Sequence, residues 1–477
     1  MNNNKKIEGA GACVPLANPI TSFQSLGNQP FESLSVIRQN KGIPMLFGYR
    51  NWGFDSEARL LQNTEQSVKT IQIAKYAFDT ASLHITGINQ FCGPTDSLNF
   101  LSNVSTFYCS HDLKAHAYGI GPKYTGDDLI TYSNISTSYS TNPNSSQKTD
   151  LITLMRKNIS TIINSSNRYG YLFQTIFVIN EYWAHDLCNS PTDFSWRDLD
   201  YHKIFTGKSN PTYNDCSNAR DDYAYELFKA VNDSFPVSSR NFAYIGMYNM
   251  ETYPNYLKTI LDKANYINSR APSGKKYVHG LMFQGHITLS TDLQKTEKLL
   301  NVARKSGYDI NVNEFDFHIY DDSYKQKIDA NNKIIQVGTL VTTPTAAMYQ
   351  TQARLYSNFV HMCLNQGVVH FQSWDPSDSS TWIDTLFYTD IRSSATAPWV
   401  SIKVGDTIPS GPDLVRSTIQ RSFATFFDSN YNPKPCYTAI ATLLKNYNVA
   451  DYNSKKSIFT TGAVLNYHYS DLGTTIT

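Results

Sequence analysis

Phe177-Val178-Ile179-Asn180-Glu181 sets four residues suited to a buried strand or its end directly before a carboxylate. Ile310-Asn311-Val312-Asn313-Glu314-Phe315-Asp316 repeats the arrangement, again with an Asn before the Glu and an apolar strand before both. Working outward, apolar and partly β-branched or aromatic runs recur along the chain with helical patterns between them. The strand candidates are residues 45–49, 83–86, 113–118, 176–179, 242–247, 278–283, 310–312 and 368–371. Short buried strands alternating with helices indicate parallel βα units, and eight of them predict a closed (β/α)₈ TIM barrel of the α/β class.

The helices between them are readable. Ser33-Leu34-Ser35-Val36-Ile37 reads as a short helix ended by Lys41-Gly42. Residues 150–163, 223–231 and 346–364 carry apolar side chains at roughly helical spacing. Ser290-Thr291-Asp292 offers capping residues for a helix running through 299–303. Residues 119–147, 184–220 and 383–420 are long and weakly periodic. They follow the third, fourth and eighth strands, so they predict enlarged loops on the catalytic face. The expected organisation is an irregular lead-in over 1–30, the barrel over 31–450 and a tail with some β character over 451–477.

Composition narrows the function. Charged residues make up 17% of the 477 and hydrophobic ones 41%, which describes a globular chain. With 41 basic and 40 acidic residues and no run of like charge, nucleic acid and anionic membranes are not indicated as partners. No stretch approaches the ~20 apolar residues of a membrane span, and no signal-peptide h-region is visible. Aromatics reach 13%, including 32 Tyr. That suits stacking on flat sugar faces, and it equally suits a genome rich in Asn and Tyr codons. Seven cysteines show no CxxC pair and no metal spacing; Cys188 with Cys216, or Cys92 with Cys109, could pair, and free buried thiols are the alternative. No metal, no cofactor and a monomer are expected.

Glycoside hydrolysis needs two carboxyl groups astride the scissile bond, one a proton donor and the other a nucleophile or base. Barrel strands aim their C-terminal residues at one cleft, so Glu181 after the fourth strand and Glu314 after the seventh would face each other. Any single Glu is ordinarily a solvated surface charge, but each of these closes an apolar run. Gln284-Gly285-His286 follows the sixth strand, and Asp316 lies two residues past Glu314 on the same side of the strand. A His held by Asp316 beside Glu314 could keep it ionised and oriented; the alternative is a satisfied structural His.

At this point the chain resembles glycoside hydrolase family 10, the endo-β-1,4-xylanase family. Val178-Ile179-Asn180-Glu181 is similar to its acid/base motif, and Asn313-Glu314-Phe315-Asp316 to its nucleophile motif, with Asn313 where Thr is usual. Phe283-Gln284-Gly285-His286 resembles its strand-six motif. Trp374-Asp375-Pro376-Ser377-Asp378-Ser379-Ser380-Thr381-Trp382 follows its Trp-Gly-x-x-Asp-x-x-Ser-Trp pattern, with Asp375 for Gly and Thr381 for Ser. Phe427-Asp428-Ser429-Asn430-Tyr431-Asn432-Pro433-Lys434-Pro435 is close to its final motif. The motifs stand in the family's order over about residues 33–445.

The resemblance implies roles. Glu181 would be the general acid/base and Glu314 the nucleophile of a retaining double displacement. Asn180 would bind the sugar 2-hydroxyl, and His286 and Asp316 would tune Glu314. Gln284, Trp374 and Trp382 would line the cleavage subsite, although two tryptophans could also be core. His116 matches the first His of a strand-three motif, and Tyr248-Asn249 matches part of a strand-five motif. The chain departs from the family where Ile120 and Gly121 replace a Trp and a second His, and where at most Asn89 survives of the sugar-gripping cluster after strand two. The expected function is therefore a retaining endo-acting hydrolase of β-1,4-xylan or a related plant β-glycan, with a polysaccharide or oligosaccharide as its partner. A secreted, periplasmic or cell-surface location follows. The alternatives are a catalytically weak carbohydrate-binding barrel and a β-glycosidase acting on a non-xylan substrate.

Overall fold

The structure, a computed structural model, describes residues 31–50, 65–84, 114–118, most of 148–163, 173–181, 213–235, 242–375, 377–379, 381 and 383–456. Eight parallel strands form one closed barrel: β1 (Leu46–Arg50), β2 (Thr80–His84), β3 (Lys114–Tyr118), β4 (Phe173–Asn180), β5 (Ala243–Met247), β6 (Gly280–Phe283), β7 (Asp309–Phe315) and β8 (His370–Trp374). Neighbours in sequence are neighbours in space. β8 closes the ring on β1 in a register that sets Arg50 opposite Trp374. The chain is thus a (β/α)₈ barrel, as the alternation of apolar runs predicts.

Six strands overlap the expected runs closely, and β8 begins two residues downstream of the expected 368–371 and runs on to Trp374. β2 begins three residues upstream of the expected 83–86 and ends at His84. Its opening Thr80 and Ala81 are small, so they raise no apolar signal. They pair with Gly48 and Tyr49, where a side chain on Gly48 would collide with the Thr80 hydroxyl.

Helices sheathe the barrel: α1 (Leu34–Lys41), α2 (Glu65–Ala77), α3 (Tyr213–Ser234), α4 (Pro254–Ser269), α5 (Leu293–Lys305), α6 (Ala346–Asn365), α7 (Pro435–Asn446) and α8 (Val449–Lys456). The described residues between 148 and 163 are helical as well. Asp292 caps α5 by accepting from Gln294 N and Lys295 N, and Thr345 caps α6 through Met348 N. α3 starts inside the stretch expected to be loop up to 220. The two ends of the barrel clasp each other: the Tyr437 hydroxyl on α7 donates to Glu32 O at 2.8 Å and accepts from Leu34 N at 3.3 Å. The Tyr452 hydroxyl on α8 donates to Val368 O at 2.9 Å, just before β8, so this helix runs through residue 450.

The region 383–420 departs from expectation. It holds a three-stranded antiparallel sheet of β9 (Thr385–Ile391), β10 (Val400–Ser401) and β11 (Val415–Gln420). These strands bury little on either face, so the two-residue hydrophobic period that marks a half-buried strand is missing. The connection after β7 forms a small hairpin, 327–328 against 334–336, and docks on this sheet's connections. Ile334 N donates to Asp406 O and Gly405 N to Ile334 O, both at 2.8 Å, and Gln326 and Tyr388 exchange a reciprocal pair of bonds. The loops following β7 and β8 thereby become one body.

The last two motifs also meet. Asp378 and Lys434 form an ion pair at 3.1 Å, both almost fully buried, and Asp378 also accepts from Thr425 N and its hydroxyl. Burial pushes the Asp378 carboxyl upward, and Lys434 and Thr425 oppose that. Lys434→Met should destabilise the fold by about 3–5 kcal/mol, because it strands a buried carboxylate. Urea unfolding at neutral pH measures this, and a loss below about 1 kcal/mol would mean the pair is not holding the motifs together.

Candidate active site

The residues at the ends of β1, β4, β6, β7 and β8 converge on one buried cluster. Glu181 directly follows β4, and its backbone N–H extends the ladder to Gly246 O at 3.1 Å. Its φ of 55° lies in the left-handed region, which costs a non-glycine residue about 1–2 kcal/mol. Such strain is held in place by surrounding structure and gathers at functional sites. A Cβ on Gly246 would strike the Met282 carbonyl, so β5 can lie this close only with glycine there.

Glu314 is the penultimate residue of β7. Its neighbour Phe315 packs outward on Phe359, Tyr356 and Phe371, with ring centroids at 4.3, 4.8 and 5.1 Å. Side chains alternate along a strand, so anchoring Phe315 in the helical layer commits Glu314 to the inner side. The Glu314 side chain is 2% exposed.

Gln284 joins the two glutamates. Its carbonyl accepts from Glu314 N at 2.9 Å, and its side-chain amide donates to Glu181 Oε1 and, at 3.3 Å, to Asn180 Oδ1. Past the strand ends, a lone bridge between His286 and Asp316 continues the pairing of β6 with β7. It aligns the imidazole between two carboxylates, with Nδ1 2.6 Å from Asp316 and Nε2 3.2 Å from Glu314. Burial alone would lower the His286 pKa. The charge and hydrogen bond of Asp316, then those of Glu314, outweigh it and raise the imidazole to about 10. His286 is therefore a cation at neutral pH, although 21% of its side chain is open.

Two further ionisable residues belong to the cluster, and the sequence reading named neither. Arg50 ends β1, 1% exposed, and donates through Nη1 to Glu314 Oε1. Its guanidinium lies over the Trp374 ring, 4.0 Å from the centroid, while His286 meets that ring edge-on at 5.7 Å. Arg50 carried the same signal as the glutamates, a charged residue closing an apolar strand. Glu251, four residues past β5, is buried, and neither carboxyl oxygen has a well-formed hydrogen bond. Burial raises it to about 7; its own N–H, His286 and the Gly285 N–H pull it down, and Glu314 pushes it up.

A carboxyl raised on folding favours the folded chain below its unfolded pKa, and that advantage is lost as pH rises through about 7. Glu251→Gln should thus stabilise the protein at pH 8 by up to about 3 kcal/mol and change little at pH 4. Urea titrations at both values check it; equal shifts at the two would contradict this titration.

Of the other expected residues, Tyr248 is half-buried with its ring 5.5 Å from Tyr256, and Asn249 takes φ 61° at the turn leading to α4. His116 lies on β3, and its side chain is outside the described residues, as are Asn89 and Trp382. Trp374 is 1% exposed beneath Arg50. Among the described residues, no group of three His, Cys, Asp or Glu could hold a metal ion, and no helix is long and apolar enough to cross a membrane.

A closed parallel barrel that gathers two glutamates at its C-terminal strand ends offers the pair of carboxyl groups that glycoside hydrolysis requires. Residues 96–443 match glycosyl hydrolase family 10, and the chain belongs to that family. Endo-1,4-beta-xylanase 5 of Pyricularia oryzae is 24% identical over 168 residues, 35% of this chain and 29% of that relative. The protein of the same name from Pyricularia grisea matches to the same extent. The chain thus spans under a third of the length of these curated relatives.

Among solved structures, a GH10 endoxylanase from a sugarcane soil metagenome is similar, with a TM-score of 0.55 and 14% identity, covering 87% of this chain and 100% of the other. A glycosylated endo-beta-1,4-xylanase from Gloeophyllum trabeum gives 0.54 and 18%, covering 87% and 100%. Xylanase 10B from Thermotoga maritima gives 0.52 and 15%, covering 87% and 98%. At these identities the likeness concerns the fold.

Proposed function

We propose that the protein is a retaining, endo-acting glycoside hydrolase that cleaves β-1,4-xylan or a related plant β-glycan. The observation that carries this reading is Gln284, whose side-chain amide donates to the Glu181 carboxyl and whose carbonyl accepts from Glu314 N, so that the two glutamates sit beside one residue. Glu314 attacks the anomeric carbon while Glu181 protonates the departing oxygen. Glu181 then takes a proton from the water that releases the glycosyl-enzyme. His286, fixed by Asp316, orients the Glu314 carboxylate, and Asn180 presents its amide to the sugar beside the cleaved bond. Trp382, Tyr248, Asn249, His116 and Asn89 are the further sugar-contacting candidates, with Trp374, covered by Arg50, as the floor of that subsite. Family membership and the xylanase names of the relatives support the substrate class. The replacement of Trp and His by Ile120 and Gly121 favours a decorated or altered chain on the non-reducing side. A polymer of this size is met outside the cytoplasm, so we place the enzyme there.

The test is product release from xylan, arabinoxylan and mixed-linkage glucan, with proton NMR of the first-formed anomer. Early accumulation of the β-anomer supports retention, and the α-anomer would sink it. Oligosaccharide binding without cleavage of any glycan would convert the reading to a binding barrel.

A further inference from the structure

We propose that the sheet of β9, β10 and β11 carries a second carbohydrate site, in which Arg392 and Arg416, steadied by Trp399, take the carboxylate side groups of a uronic-acid-substituted β-glycan. This rests on the reading of a plant β-glycan as the ligand.

Strand pairing brings the three side chains together. Asp390 on the central β9 stands opposite Ser401 on one side and opposite Arg416 on the other. Residues two apart on a strand share a face, so Arg392 and Arg416 stand on the same one. Trp399, just before β10, meets both: the guanidinium carbons lie over its ring, 4.4 and 4.2 Å from the centroid.

Two cations thus share one ring. The ring quadrupole attracts each of them, while the two repel each other. Three acids belong to this sheet and its connections. Asp390 accepts from the Thr389 and Ser401 hydroxyls at 2.9 and 3.2 Å, and Asp406 accepts from Lys403 N at 2.9 Å. Asp413 contributes its backbone carbonyl to Arg392 Nε at 2.6 Å. Among the described residues, neither arginine forms an ion pair with these or any other acid. Elsewhere in those residues an arginine over a ring also has its acid: Arg50 on Trp374 has Glu314, and Arg270 on Tyr225 has Asp222. Arg416 is exposed and makes no side-chain hydrogen bond among the described residues. A guanidinium fork matches a carboxylate, and a fork already laid on a ring loses little freedom when it binds one. An acidic side group on the ligand supplies the counter-charge that the sheet lacks.

The site stands apart from the catalytic cluster, on the same loop body. Arg416 precedes Gln420 by four residues, about 13 Å along β11. At that root the face is closed: Phe387 and Gln420 are buried, and Gln420 accepts from Val341 N at 3.0 Å. Just beyond, Ser422 O accepts at 3.0 Å from the N–H of Ile319, which follows β7 and Glu314. A polymer held in the cleft is therefore offered a second grip away from the bond that breaks. Two linked contacts reinforce each other without either being tight, whereas a short oligosaccharide that fills only the cleft gains nothing.

The experiment is affinity electrophoresis in the cold of the parent and the double variant Arg392→Gln/Arg416→Gln. One gel holds glucuronic-acid-substituted xylan, and another holds the same xylan with its carboxyls reduced to alcohols. The acidic polymer should hold the parent back more, and the double variant should lose about tenfold or more in affinity for it. The extra retention should fade as salt rises. On the acidic xylan the double variant should show a raised KM with kcat unchanged, and on unsubstituted xylohexaose both constants should match the parent. Equal retention of the parent by the two polymers, no retention by either, or a double variant held like the parent overturns the proposal. Equal arginine-dependent retention by polygalacturonate shows that the site reads charge alone, and overturns the assignment to a decorated β-glycan. A parent held through its arginines that cleaves no glycan overturns the hydrolase reading and leaves this site standing; cleavage of xylan with arginine-independent retention does the reverse. If the double variant does not fold, Arg416→Gln alone decides by the same readings.

Discussion

Glu314→Gln should lower turnover of xylan by about 10⁴-fold or more, with little change in the affinity for oligosaccharide. An amide oxygen is a poor nucleophile and cannot leave as a carboxylate, so both chemical steps fail together. The substitution also removes a counter-charge that the buried Arg50 and the half-buried His286 share, while His286 keeps Asp316. Removing one partner of a buried ion pair is destabilising by up to about 3–5 kcal/mol. A drop in thermal midpoint should therefore accompany the loss of rate, and assays belong well below it. A variant that stays folded and within tenfold of the parent would show that some other group attacks the sugar.

Glu181→Ala should show a different signature, because proton transfer matters only where the leaving group needs it. On xylan the loss should be about 10²–10⁴-fold. On an aryl glycoside whose phenol departs unaided, formation of the covalent intermediate should be nearly spared while its hydrolysis slows, giving a burst of phenol followed by a slow phase. Azide, a nucleophile that needs no general base, should rescue the slow phase and yield a β-glycosyl azide. The basic limb of the pH profile should disappear in the same variant, since that limb reports the proton Glu181 must carry. Equal losses on xylan and on the activated glycoside, without rescue, would remove Glu181 from proton transfer. Gln284, which donates to both Glu181 and Asn180, would then be the residue to examine as the centre of the cluster.

The barrel was legible because its parallel strands are covered on both faces and therefore read as unbroken apolar runs. Glu181 and Glu314 stood out as the polar residues that end two of those runs, and His286 with Asp316 followed from strand periodicity. β2 was displaced in the reading because its contact with Gly48 selects small residues, which carry no hydrophobic signal. The sheet at 385–420 was invisible for a related reason: strands stabilised by pairing, with little burial, have no alternation to find. Arg50 carries the same mark at the end of β1, but its meaning rests on an acid 264 positions away, which no local pattern announces. Glu251 lies in a turn whose local sequence gives no hint of burial. Only the folded arrangement brings the charges of His286 and Glu314 to bear on it.

The joining of the β7 and β8 loops bears on how this cleft can diverge. The hairpin at 327–336 and the sheet at 385–420 complete each other's backbone hydrogen bonds, from Lys333 opposite Thr407 to Ile408 bonded to Asn332. A chimaera that imports one of them alone would expose unpaired edges, which invite adhesion between molecules. Insertions at these two sites should accordingly be inherited as a pair among relatives of this chain. Transplantation onto another barrel should succeed only when both pieces travel together.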